Sequence, residues 1–480
     1  MIFNSISFAI FLPIVFLIYW SINNSKNRIR NFILLLSSYF FYSCWDFKFL
    51  ILLIFSTFLD FYTGYKIHRS IKLKSKRIWL IISLTVNIGI LCFFKYYNFF
   101  ADSLEKLVKT LGFNIEISLL NLLLPIGISF YTFHGISYVF DIYKEKIKPE
   151  KDFIIYSLFV AYFPLLVAGP IERANHLLPQ LKITKNFNYE NAVLGLKQIL
   201  WGLFKKIVIA DNCAQYVDSI YNYESAYNGS SFFVATVLFA FQIYGDFSGY
   251  SDIALGTSRL FGIELIKNFS FPYFSRDIAE FWRKWHISLS SWFKDYLYIP
   301  LGGSQNGIYR GIINTFIIFT VSGFWHGANW TFLFWGGLHA LFFIPLFIIG
   351  KHRINTNSLV AYSSLLPNIK ELLQMVFTFL LVCFGWVFFR SNNIDVAFRI
   401  YSKLFSSTIF DSLLIEPPYQ LILFILFMIL IEWNNRCYSF GLEKTGYNLP
   451  SLFRYGLYFF LIFSIFWFGT EEKQFIYFQF

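Results

Sequence analysis

His326 stands in Gly323-Phe324-Trp325-His326-Gly327, after an apolar stretch over 312–324 and shortly before a long apolar run that begins at Trp330. The stretch before it reads as too short to span a membrane. The break after it places the imidazole at a helix end, well below the membrane surface. An ionisable side chain there is costly and marks function by default. Imidazole suits removal of a proton from a hydroxyl, because its ordinary pKa of about 6.5 lies near working pH. On local context alone, the alternative is a histidine that satisfies a carbonyl freed by the break.

His286 lies in the segment 280–296, where Trp282, Trp285, His286, Leu289, Trp292, Phe293 and Tyr296 share one face at helical spacing. Arg283, Lys284, Ser290, Ser291, Lys294 and Asp295 take the other face. The pattern predicts one amphipathic helix with aromatic anchors, suited to lying in the membrane interface. On that stripe His286 reads as a packed structural residue as readily as a reactive one, and nothing in the spacing brings it to His326. A third group, 242–252, sets Asp246, Ser248, Ser251 and Asp252 among Gly245 and Gly249 in apolar surroundings. These carboxylates need partners. They either bind substrate or fix a broken helix, the usual work of Asp and Ser beside Gly.

The remaining histidines read more blandly. His134 and His339 are structural or pore-lining, His68 and His352 sit in basic loops, and His176 falls in a polar loop. No histidine pair has metal-ligand spacing such as H-E-x-x-H. Gly302-Gly303 lacks the helix start that would make it a phosphate loop. The cysteines, Cys44, Cys92, Cys213, Cys383 and Cys437, form no CxxC pair and read as inert thiols.

The elements that must hold these residues are apolar helices. Of 480 residues, 56% are hydrophobic and 14% charged, against about 25% charged in soluble chains. Apolar runs over 6–22, 49–65, 78–94, 330–349, 372–389, 421–433 and 453–468 approach the ~20 residues that cross a bilayer. With shorter or interrupted runs, the expectation is an all-α polytopic membrane protein of about eleven spans with re-entrant or interfacial helices. Residues 1–7 lack a basic region, and no small-residue cleavage site follows Trp20, so 6–22 is expected to be a retained span. The chain is expected to form one membrane domain over 1–480: peripheral spans in 1–150, a catalytic core in 156–350 whose runs are broken by Pro and Gly, and plain spans in 372–480.

The net charge is +12, but the basic residues sit in loops between spans, which argues for a membrane surface rather than nucleic acid. Lys26, Arg28 and Arg30 mark one loop, Lys66 to Arg77 a second, and Lys144, Lys146, Lys148 and Lys151 a third. The positive-inside rule places all three in the cytoplasm, with the N-terminus outside.

The ordered stretches 245–252, 281–290, 295–303 and 324–328 resemble the membrane-bound O-acyltransferase family, in particular its bacterial branch that O-acetylates alginate, peptidoglycan and other envelope polysaccharides. The resemblance runs nearly end to end and implies a helical fold around a central tunnel. It implies that His326 is the catalytic base and His286 the second tunnel histidine. Asp246, Asp252, Asp295 and Trp325 become candidate substrate-binding residues, and for the aspartates a role in holding the tunnel walls stays open. It further implies acetyl-CoA as a cytoplasmic donor with no bound cofactor, a polysaccharide acceptor, an SGNH-type esterase-like periplasmic partner, and residence in the bacterial inner membrane. A teichoic acid D-alanyltransferase is the nearest alternative within the family. A secondary transporter or flippase is the alternative outside it, but nothing in the first 150 residues echoes the central motifs.

Residues 470–480 carry a charged cluster and then the aromatic run Phe475-Ile476-Tyr477-Phe478-Gln479-Phe480. By composition this is an interfacial anchor. A similar tyrosine-bearing motif in this acyltransferase branch implies a sharper role, with Tyr477 accepting the acyl group near His326.

Overall fold

Long apolar runs leave the backbone no solvent to bond with, so helices are the economical solution for an open chain. The computed structural model describes residues 1–113, 115–166, 169–305, 307–356, 358–445, 450–469 and 475–476, and among these it contains helices and no strand. Six helices, one of them a run over Leu73–Thr110, are long and apolar enough to cross a membrane, and Ile6–Ser21, Phe153–Leu166, Tyr419–Asn434 and Ser451–Trp467 are shorter apolar ones. The chain packs as two units, Met1–Ala192 with Thr257–Leu265, and Val193–Gly256 with Ile266–Phe480.

The first unit contains α1 (Ile6–Ser21), α2 (Asn27–Ser43), α3 (Phe47–Arg69), α4 (Leu73–Leu91), α5 (Tyr97–Thr110), α6 (Ile128–Tyr143), α7 (Phe153–Ala161), α8 (Phe163–Leu166) and α9 (Ala174–Lys182). Its three basic loops meet: Arg28 pairs with Asp152 at 3.1 Å and Lys76 with Glu145 at 2.6 Å. They therefore share one face, as the charge pattern requires.

The helix α10 (Tyr189–Leu203) leads through a π-helical stretch, Phe204–Ala210, into α11 (Asp211–Tyr221). Then come α12 (Gly229–Leu260), α13 (Ile278–Lys284), α14 (Ile287–Phe293), α15 (Gly307–His326), α16 (Trp330–Ile348), α17 (Ile369–Arg390), α18 (Ile394–Leu404), α19 (Tyr419–Asn434) and α20 (Ser451–Trp467).

Two local expectations are overturned. The glycines of 245–249 do not break a helix, because α12 runs through them for 32 residues. They let another backbone approach instead. A Cβ on Gly249 would lie 2.7 Å from the carbonyl oxygen of Gly202, and one on Gly256 would lie 2.5 Å from that of Gly195. Two glycine pairs, each seven residues apart, therefore seat 195–202 against 249–256, the small-residue solution for packing apolar helices. The stretch before His326 is also not short. α15 begins at Gly307 and reaches His326 in 20 residues, taking in the polar turn around Arg310.

Candidate active site

His326 is the last residue of α15, and α16 restarts at Trp330 behind Asn329, whose side chain accepts from Thr331 N at 3.0 Å. The helix break expected there is present. The two helices touch backbone to backbone. A Cβ on Gly323 would lie 2.1 Å from the carbonyl oxygen of Phe332, and one on Gly336 would lie 2.2 Å from that of Phe319. This contact carries the imidazole inside, where it is 3% exposed. Its ring centroid lies 4.9 Å from Trp325, 5.1 Å from Trp335 and 5.4 Å from Phe389.

His286 is not on a continuous amphipathic helix. α13 ends at Lys284, α14 starts at Ile287, and His286 sits between them with φ +44°. A left-handed conformation costs a non-glycine residue about 1–2 kcal/mol, so something must hold it. Asn268 does much of this. Its carbonyl accepts from Ile287 N at 2.9 Å and its Oδ1 from Ser288 Oγ at 2.6 Å, while its Nδ2 donates to Ser251 Oγ on α12 at 3.0 Å. Ser270 N adds a bond to the Lys284 carbonyl at 3.0 Å. These long-range bonds break the helix. They turn His286 to 1% exposure, with its ring 4.6 Å from Phe247, 5.7 Å from Trp325 and 6.4 Å from His326. The two histidines therefore meet, with Trp325 beside both.

Asp246 and Asp252 are held by lysines the sequence reading missed. Lys206 Nζ lies 2.7 Å from Asp246 Oδ1 and 2.7 Å from Asp211 Oδ1. Lys205 Nζ lies 2.7 Å from Asp252 Oδ2 and donates to Ser248 Oγ at 2.8 Å. Gln198 Nε2 donates to Asp252 Oδ1 at 2.7 Å, and Glu432 Oε2 on α19 accepts from Tyr244 at 2.8 Å. Buried charges survive only when paired. Adjacent lysines inside the apolar run 199–210 were the available signal.

Asp295 lies half-buried in a π-helical stretch, Lys294–Tyr298. Tyr477 lies outside the described residues, but Phe475 and Ile476 do not. Phe475 is fully buried, with its ring 4.7 Å from Tyr250 and 5.7 Å from Phe247. Ile476 N donates to Asp246 Oδ2 at 2.6 Å.

A cavity of ≈ 710 Å³ opens beside this site, with Trp282, Phe319 and Phe343 in its wall and Arg283, Lys294 and Arg353 among its polar residues. Trp282 lies 5.6 Å from Trp335, which is 5.1 Å from His326, so the cavity is two indole rings from the imidazole. Among the described residues, no group of three His, Cys, Asp or Glu is placed to hold a metal ion. What the site offers is a nitrogen base in apolar surroundings, a second imidazole nearby, and an apolar cavity with cationic groups.

The membrane-bound O-acyltransferase family model matches residues 90–387. A protein named probable alginate O-acetylase, from Pseudomonas aeruginosa, is 37% identical over 408 residues, 85% of this chain and 75% of that one. A peptidoglycan O-acetyltransferase of Helicobacter pylori is 36% identical over 421 residues, 81% of this chain and 77% of its own. A teichoic acid D-alanyltransferase of Bacillus subtilis is 27% identical over 284 residues, 57% of this chain and 70% of its own.

Proposed function

The chain belongs to the membrane-bound O-acyltransferase family, and from that premise we propose that it moves an acetyl group from a cytoplasmic thioester to hydroxyls of a bacterial cell-envelope polysaccharide. The observation that carries this reading is the meeting of His326 and His286 beside an apolar cavity. His326 accepts the proton of the attacking hydroxyl as its oxygen adds to the thioester carbon. The tetrahedral adduct collapses, the C–S bond breaks, and the imidazolium returns its proton to the departing thiolate. His286 and Trp325 orient the reacting groups. Arg283, Lys294 and Arg353 suit the phosphates of a donor such as acetyl-CoA, with the acyl chain directed towards His326.

Tyr477 is the hydroxyl nearest in sequence to the buried pair Phe475 and Ile476. In this reading its phenol takes the acetyl group first and passes it to a periplasmic partner of the SGNH type, which acetylates the polymer. A phenol with a pKa of about 10 needs a base, and the histidines supply it. Asp246 and Asp252 shape the tunnel wall through their lysine pairs, and Asp295, next in sequence to Lys294 of the cavity, is a substrate-binding candidate. The protein sits in the bacterial inner membrane with about eleven spans and its N-terminus outside. The chain's greater coverage of the alginate and peptidoglycan enzymes than of the D-alanyltransferase favours acetyl over D-alanyl transfer.

The test is expression in a bacterium that keeps its SGNH-type partner but lacks its own membrane O-acetyltransferase, followed by base release of acetate from purified alginate and peptidoglycan. Polymer-bound acetate that depends on His326 supports the reading. D-alanine on teichoic acid in its place overturns it.

A further inference from the structure

The most deeply placed charge pair in the second unit does not touch the histidines. It touches the C-terminal segment. Lys206, with no exposed side-chain surface, holds Asp246 Oδ1 at 2.7 Å, and the other oxygen of the same carboxylate accepts the main-chain N–H of Ile476 at 2.6 Å. Asp211 also holds Lys206 at 2.7 Å, and the Tyr250 ring lies 5.6 Å from its Nζ. One turn of α12 thus makes four contacts. Asp246 takes the segment's backbone, Tyr250 and Phe247 take Phe475 at 4.7 and 5.7 Å, and Phe247 meets His286 at 4.6 Å.

A bond to a main-chain N–H does not read a side chain. It fixes position along the chain. An ionised acceptor makes that bond short and strong, and a slip of one residue moves every later side chain by about 3.3–3.6 Å. We infer that Asp246, locked by Lys206, is a register clamp: it binds the N–H of Ile476 and thereby fixes the register of the C-terminal segment against α12. Asp246 is a positioning residue and exchanges no proton or acyl group. The consequence for rate rests on the reading of Tyr477 as acyl carrier; the clamp itself does not.

Two measurements separate these. Hydrogen–deuterium exchange of the C-terminal peptide in detergent, read by mass spectrometry, reports the Ile476 amide directly. It is slow in the native protein and loses protection in Asp246→Ala, while Asp246→Asn, which keeps an acceptor oxygen, restores part of it. Equally slow exchange in a folded Asp246→Ala protein overturns the clamp. Transfer is then followed with radiolabelled acetyl-CoA. Ile476→Pro removes the donor and lowers transfer by about 10²-fold, as an ångström of misplacement does, whereas Ile476→Val keeps the N–H and stays near the native rate. Ile476→Pro at the Ile476→Val rate, with Tyr477→Phe inactive, overturns the register role. Native transfer by Tyr477→Phe sinks the carrier reading and leaves the clamp standing on its exchange result.

Discussion

Both units bury polar groups among apolar helices, but they satisfy them with different partners. In the first unit Asp60 on α3 accepts from Ser83 Oγ at 2.7 Å and Asn87 Nδ2 at 2.8 Å, both on α4, and Asn87 Oδ1 accepts from Ser56 Oγ at 2.8 Å. Gly135 of α6 closes over the carboxylate, since a Cβ there would lie 1.9 Å from Asp60 Oδ2. Hydroxyls and an amide do the work, and the knot ties three helices together. In the second unit Lys205 and Lys206 neutralise Asp252 and Asp246, and the same turn of α12 adjoins His286 and the C-terminal segment. Depth of burial is alike in the two places. What differs is what lies next to each carboxylate.

The comparison is tested most sharply at His326, the proposed base. His326→Ala should lower acetyl transfer by about 10²–10⁴-fold in a protein that still folds and inserts. Asp60→Asn, which keeps an acceptor for Ser83 and Asn87, should leave transfer per folded molecule near native. Polymer acetate normalised to inserted protein measures both. An Asp60→Asn loss as deep as that of His326→Ala would make the first unit part of the chemistry.

The next effect comes from glycines at backbone contacts. Gly249→Ala and Gly135→Ala each drive a methyl into an occupied position, and overpacking of this kind costs about 1–3 kcal/mol. Both should lower the thermal midpoint in detergent. Only Gly249→Ala should also lower transfer among the folded molecules, because the turn it displaces carries Asp246 and Phe247. Equal transfer losses in the two variants would erase the distinction between the units.

Much of this was legible in the residues. The membrane class and the helix break after His326 follow from apolar length and its interruption at Gly327. The shared face of the basic loops follows from their charge. The bend at His286 was not legible, because helical spacing through 280–296 is good and the break is imposed by Asn268 and Ser270 from outside the segment. Gly245 and Gly249 misled for a related reason. Glycine marks a turn or a close approach, and only the partner backbone at Gly202 decides which. Lys205 and Lys206 were readable and missed, since paired lysines in an apolar run require acids nearby. The seat of Phe475 and Ile476 beside α12 lies about 230 residues away in sequence, beyond any local pattern.

The smallest expected effect has the opposite sign. Gly456 lies inside α20, and a Cβ there would meet nothing within 4 Å. Gly456→Ala therefore adds no clash, and it removes the extra backbone freedom that glycine loses on folding, worth roughly 0.5–1 kcal/mol in a helix interior. The gain is the same in lipid as in water, because the helix already satisfies its own N–H and C=O groups. A small rise in the thermal midpoint in detergent, with unchanged transfer, is the expected result. A fall would mean that the face carrying Gly456 is occupied in the assembled protein, since small residues on a membrane helix are where another helix packs closely. Gly456→Ala would then behave as Gly249→Ala does, and its loss of stability would reveal a partner helix seated on α20.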